Sequence, residues 1–126
     1  MTIDDAAAGA AGDMVDKLNS EIRRGALVLA VLSQLQREHY GYSLRKTLAE
    51  RGLPVEEGTL YPLIRRLEKQ SLLTSEWREE GRRRKRFYRL SPLGEAVYQQ
   101  LLMDWRALSG TLENLTGGGS DAVAKE

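Results

Sequence analysis

The sequence predicts a mainly α fold with one small β-hairpin, and three observations predict it. Apolar residues recur at three- and four-residue spacing through most of the chain. Glu80-Gly81-Arg82 separates two short runs with strand character. Ser91-Pro92 then supplies a cap and a first-position proline for a last helix whose leucines repeat like a heptad seam. The predicted order is helix, helix, helix, hairpin, long helix.

Residues 1–13 are rich in Ala and Gly and acidic, and are expected to be a flexible segment. The first helix is predicted from about Met14 to Arg37, because Val15, Leu18, Ile22, Ala26, Leu29 and Leu32 fall on one face. Gly25 inside that pattern points to close packing. His39-Tyr40-Gly41-Tyr42 breaks the helix, and Ser43 is the candidate cap of a second helix ending near Arg51, with Leu44 and Leu48 inward. Gly52-Leu53-Pro54 stops it. The third helix spans about Gly58 to Gln70, with Leu60, Leu63, Ile64 and Leu67 as its buried stripe and Pro62 near its first turn. Thr59, Tyr61, Arg65, Arg66 and Lys69 lie off that stripe. Strands are expected at Thr74–Glu79 and Arg83–Leu90.

In the last helix, Leu101, Trp105, Leu108, Leu112 and Leu115 form the seam, with Leu93 and Val97 upstream. A lone helix cannot bury such a seam, so a second copy of the chain is the simplest partner, with Val15, Leu18 and Ile22 of the first helix joining the interface. The expected division is a flexible segment at 1–13, a winged helix-turn-helix at 14–91, a dimerisation helix at 92–116 and a flexible tail at 117–126, opening Gly-Gly-Gly-Ser.

A chain of 126 residues with 41% hydrophobic residues suits one globular domain. It has no apolar run of the length a membrane span needs, and it opens Thr2-Ile3-Asp4-Asp5, unlike a signal peptide. A cytoplasmic protein without a membrane partner is expected. With no cysteine and a single histidine, His39, no metal or other cofactor is expected, and His39 is read as a surface or capping residue. No glycine-rich phosphate loop or nucleophile–base constellation suggests an enzyme. The net charge of +1 hides an asymmetry: Gly41 to Leu90 carries 13 Lys/Arg against 7 Asp/Glu, and the remainder is net acidic. One basic face that meets a polyanion follows.

The third helix and the run Arg82-Arg83-Arg84-Lys85-Arg86 are where that face concentrates. A helix able to enter a groove, followed by a basic hairpin, is how a winged helix-turn-helix meets double-stranded DNA. Thr59, Tyr61 and Pro62 lie at the leading end of the helix, and Arg65 and Arg66 reach phosphate or guanine. Arg45 and Lys46 are further phosphate candidates, while Tyr40 and Tyr42 either pack the helix–helix corner or touch the backbone. Trp77 is expected to brace the hairpin. Trp105 is either interface packing or a platform for a flat aromatic effector. A winged helix that binds a protein instead of DNA stays open as an alternative, though it has no need of so basic a middle segment.

These residues resemble the PadR family of bacterial transcriptional regulators. The resemblance rests on Tyr40-Gly41-Tyr42, on Gly58-Thr59-Leu60-Tyr61-Pro62 with Leu63, Arg66, Leu67 and Glu68, on Leu72-Leu73, on Arg84-Lys85 with Tyr88-Arg89-Leu90-Ser91, and on Gly94. It covers about Leu18 to Leu115. The single last helix resembles the smaller members. Ser71 departs from the family, which usually ends the third helix with glycine. The resemblance implies a homodimeric DNA-binding regulator, often a repressor, that reads a pseudo-palindromic operator. In some members a phenolic acid or flat aromatic drug at the dimer interface loosens DNA binding.

Overall fold

The computed structural model describes residues 2–117, with side chains from residue 5 onward. Beyond Gly117, the expected tail lies outside the described residues. The order is α1 (Thr2–Gln34), β1 (His39–Tyr40), α2 (Gly41–Glu50), α3 (Glu57–Lys69), β2 (Leu73–Glu80), β3 (Arg83–Leu90) and α4 (Pro92–Leu115).

Two differences from the expected elements stand out. The first helix runs back through residues 2–13, which corrects their assignment as a flexible segment. Alanine has the best helix propensity, so Ala6-Ala7-Ala8 and Ala10-Ala11 carry the helix through Gly9 and Gly12. The second difference is β1, a two-residue strand that makes the sheet three-stranded, in the order β1-β3-β2. Its partners, Tyr88 for His39 and Phe87 for Tyr40, come from far along the chain.

The core sits where four helices meet the base of the hairpin. Leu27, Val31, Leu32 and Leu35 of α1 pack with Leu44 and Leu48 of α2 and with the predicted stripe of α3, Leu60, Leu63, Ile64 and Leu67. Leu73 and Leu90 close it from the sheet, and Tyr98 from α4. Each such leucine contributes about 1.5–3 kcal/mol of burial.

Junctions between elements follow local chemistry. Ser43 is not the N-cap of α2. It is the third helical residue, and its hydroxyl reaches back to accept from the Tyr40 N–H at 3.1 Å and to meet His39 Nδ1 at 3.0 Å. His39 is half-buried and bonds the side chain of the capping box, not a backbone group of the helix end. Helix α3 ends with Ser71 at φ 66°, where the Leu72 N–H donates to the Leu67 carbonyl at 3.0 Å and the Ser71 N–H to the Glu68 carbonyl at 2.9 Å. This is a Schellman closure, built here on serine where glycine is the usual choice. Ser91 caps α4 as expected: its Oγ accepts from the Gly94 N–H at 2.9 Å and donates to the Ser71 carbonyl at 2.7 Å. A Cβ on Gly94 would lie 2.0 Å from the Leu72 carbonyl oxygen, so α4 can start this close to the end of α3 only with glycine there.

Candidate nucleic-acid interface

Helix α3 buries one stripe and turns the other face outward. Thr59, Pro62, Arg65 and Arg66 are exposed and Tyr61 is half-buried. Pro62 is the sixth helical residue, about one turn further in than its expected place near the first turn, so the helix lacks the bond that residue would donate to Gly58. Tyr61 lies against Gly41, whose added Cβ would come within 3.0 Å of the ring. The first turn of α2 and the leading half of α3 are thereby held face to face. Arg65 and Arg66 make no ion pair among the described residues.

The wing is a regular hairpin from Leu73↔Leu90 to Glu80↔Arg83, turned by Gly81 and Arg82. Gly81 has φ 67°, the left-handed value that a two-residue turn with glycine first requires. The five-cation run splits once it is folded. Arg82 and Arg83 at the tip are exposed and unpaired among the described residues. Arg84 is exposed, with its guanidinium 5.1 Å from the Trp77 ring centre. Lys85 pairs with Glu80 at 3.1 Å and lies 4.1 Å over the Tyr40 ring. The ion pair with Glu80 and the Tyr40 contact hold the Lys85 ammonium above its usual pKa.

Arg86 points back to α3. Its Nη2 donates to both carboxylate oxygens of Glu68 at 3.0 Å and its Nε to Ser75 Oγ at 2.9 Å, while the Ser75 hydroxyl donates to Glu68. This charge braces the wing against the helix instead of standing free for phosphate. Arg45 is similarly engaged, donating to the Val55 carbonyl and to Glu57, both at 3.1 Å, which stiffens the α2–α3 turn. Lys46 stays exposed on α2, and Tyr42 is exposed at its start, stacked on Tyr40 with ring centres 6.4 Å apart.

Sequence reasoning missed the brace. Glu68, Ser75 and Arg86 are 7 and 18 residues apart along the chain, and only the strand register brings them together. It missed Arg78 as well, which bridges Glu38 and Glu76 and lies 4.8 Å from the centre of the Phe87 ring. The Arg78 hydrogen bond is the main reason the Glu38 carboxyl sits below the usual carboxylate range.

Between α3 and the wing lies a cleft of about 290 Å³, lined by Tyr42, Tyr61, Arg65, Trp77, Lys85 and Tyr88 among others. Trp77 is half-exposed and contributes to the cleft lining, with the Arg84 and Arg86 guanidiniums 5.1 and 5.6 Å from its ring centre.

Residues 28–100 match the family described as the transcriptional regulator PadR-like family. The chain belongs to the PadR family of transcriptional regulators. It is 39% identical over 101 residues to the transcriptional regulator Rv3488 of Mycobacterium tuberculosis, spanning 79% of this chain and 92% of that protein. A crystal structure of a PadR-family regulator from Eggerthella lenta superposes with a TM-score of 0.80 at 43% identity, covering 87% of this chain and 98% of that one. A PadR-like regulator from Bacillus cereus gives 0.71 at 26% identity, covering 79% and 99%.

In this PadR regulator α1 and α4 keep an uncovered apolar face. Val15, Leu18 and Ile22 of α1, and Leu101, Trp105, Leu108, Leu112 and Leu115 of α4, are all exposed. Between the two helices runs an almost wholly apolar groove of about 320 Å³ lined by Gly25, Val28, Leu29, Leu101, Asp104, Trp105 and Leu108. Gly25 has open space where a Cβ would stand, so the close packing expected there does not occur within one chain. Among the described residues no His/Cys/Asp/Glu group could hold a metal ion, and no helix is long and apolar enough to cross a membrane.

Proposed function

We propose that this PadR regulator is a cytoplasmic homodimer that binds double-stranded DNA sequence-specifically and acts as a repressor. Helix α3 enters the major groove and the wing tip tracks the adjacent backbone. The observation that carries this reading is the placement of Arg65, Arg66, Arg82 and Arg83: four exposed guanidiniums on one helix-and-wing unit, without ionic partners among the described residues. Their mutual repulsion is relieved when phosphates replace counterions. Residues 14–91 then form the reading head and 92–116 the dimerisation helix. The uncovered apolar faces of α1 and α4 support the dimer, and Gly25 leaves room for a partner helix. Two-fold symmetry calls for a pseudo-palindromic operator with half-sites about 34 Å apart. The groove beside Trp105 suits a small aromatic effector that alters the dimer and releases DNA.

The test is a duplex titration at several salt concentrations. Changing Arg82 and Arg83 together to Ala should lower the salt-dependence slope by about 2 per chain. An unchanged slope would remove the wing from the interface. If no duplex binds the parent protein even at low salt, a protein-binding winged helix becomes the better reading.

A further inference from the structure

We infer that Arg23 and Arg24 of α1 form a second phosphate-binding edge of the DNA interface, on the side of α3 opposite the wing. This rests on the DNA-binding reading above and adds to it a helix whose other face carries the dimer seam.

Periodicity gives α1 two separate faces. Val15, Leu18, Ile22, Gly25 and Leu29 follow one another at steps of three and four residues along the seam. Ser20, Arg23, Arg24 and Leu27 lie on the opposite face, where they line a groove of about 370 Å³ against the α2–α3 turn. Helix α3 contributes Thr59 to the same groove. A partner that covers the seam therefore leaves the two arginines uncovered.

The same spacing sorts the sides of α3. Tyr61 and Glu68 are turned to the wing, and Pro62 and Lys69 point outward. Thr59 and Arg66 fall on the side of α1. A helix in the major groove, roughly 12 Å wide, has a phosphate strand on either hand. Arg82 and Arg83 at the wing tip meet one strand. Arg23 and Arg24 stand toward the other.

Both arginines are exposed and make no ion pair among the described residues. The apolar lining of the groove, Leu27 with Leu53 and Val55, suits their hydrocarbon stems and leaves the guanidiniums in water. That lining is fixed in place. The Leu53 N–H donates to the Leu48 carbonyl at 2.8 Å, and Arg45 holds the Val55 carbonyl at 3.1 Å. One carboxylate, Glu56, also lines the groove, so two cations leave it net positive. Because α1 carries the seam as well, this edge faces the two-fold axis of the dimer. The phosphates it meets are those between the half-sites.

The test is a titration of the full chain at several salt concentrations. Its probe is a two-half-site duplex that the parent protein selects from random sequence. Glutamine keeps the helix propensity of arginine, so Arg23→Gln with Arg24→Gln should sediment like the parent. This double variant should lower the salt slope by about 2 per chain and weaken binding about tenfold. Arg37→Gln, which removes a charge past the far end of α1, should leave the slope unchanged. Neutral methylphosphonates at the central phosphates should weaken the parent and leave the double variant unaffected. A double variant with the parent's slope overturns the inference. So does one that loses as much as the parent to the methylphosphonates, or an equal drop per charge in Arg37→Gln. If Arg82→Ala with Arg83→Ala lowers the slope while the α1 variant does not, the DNA reading stands and this edge alone falls. If the parent binds no duplex, both fall.

Discussion

Ser71 is the residue whose backbone asks for a different side chain. At φ 66° it holds the left-handed position of the Schellman closure, which costs a non-glycine residue about 1–2 kcal/mol. Ser71→Gly should therefore raise unfolding stability by roughly 0.5–1 kcal/mol in a urea titration, the gain trimmed by the extra freedom of glycine in the unfolded chain. Gly94 sits at the opposite extreme. A Cβ 2.0 Å from the Leu72 carbonyl oxygen overlaps backbone that cannot move without dislodging the end of α3. Gly94→Ala should cost at least about 3 kcal/mol by the same titration. At His39, burial pushes the imidazole below its ordinary pKa. The unfolded chain then takes up the proton first as pH falls. Its stabilising contribution is complete above the ordinary histidine pKa and is lost as pH drops through the lowered value. The stability difference between pH 7.5 and pH 5.5 should be smaller in His39→Gln than in the parent.

Among the elements, the wing and α3 behave as one body because Glu68 holds Arg86. Both partners are partly exposed, so solvent screens the pair and Glu68→Gln should cost only about 0.5–1 kcal/mol of stability. Its effect on duplex binding should be larger in affinity than in salt slope. Arg86 is already committed to a carboxylate, and a loosened wing misplaces the free arginines without removing any. A slope that falls by a full unit in Glu68→Gln would show instead that Arg86 is itself a phosphate contact. How far these elements could be read beforehand follows the range of the forces involved. Helices α2, α3 and α4 and the hairpin were legible because periodicity, Ser91-Pro92 and Gly81 act within a few residues. The β1 strand was not, since its two residues pair with Tyr88 and Phe87 far along the chain. The helical start of α1 was obscured by Gly9 and Gly12 among the alanines. In the candidate site, the residue types on α3 and the wing tip were legible. The division between free and committed cations was not, because Arg45, Lys85 and Arg86 find their partners only in the folded chain.

For the whole molecule, the uncovered faces of α1 and α4 set the expected assembly. Placing a charge in the seam with Leu108→Glu should convert a dimer to monomers in sedimentation and weaken binding to a two-half-site duplex far more than to a single half-site. A parent protein that already sediments as a monomer would remove the dimer from the proposal. Quenching of Trp105 fluorescence by uncharged flat aromatics, absent in Trp105→Ala, would place an effector in the groove between the helices. The joint at Ser71, Ser91 and Gly94 has a mechanical meaning. There the end of α3, the returning strand of the wing and the base of α4 are joined by a backbone bond from the Ser91 N–H to the Leu72 carbonyl and by the one short side chain of Ser91. Such a joint has little slack, so α4 works as a crank rather than a tether. Over a helix of 24 residues, about 36 Å long, a 2 Å displacement at the far end turns α3 and the wing by roughly 3°. A slight shift at the seam is thus carried to the surface that would face DNA.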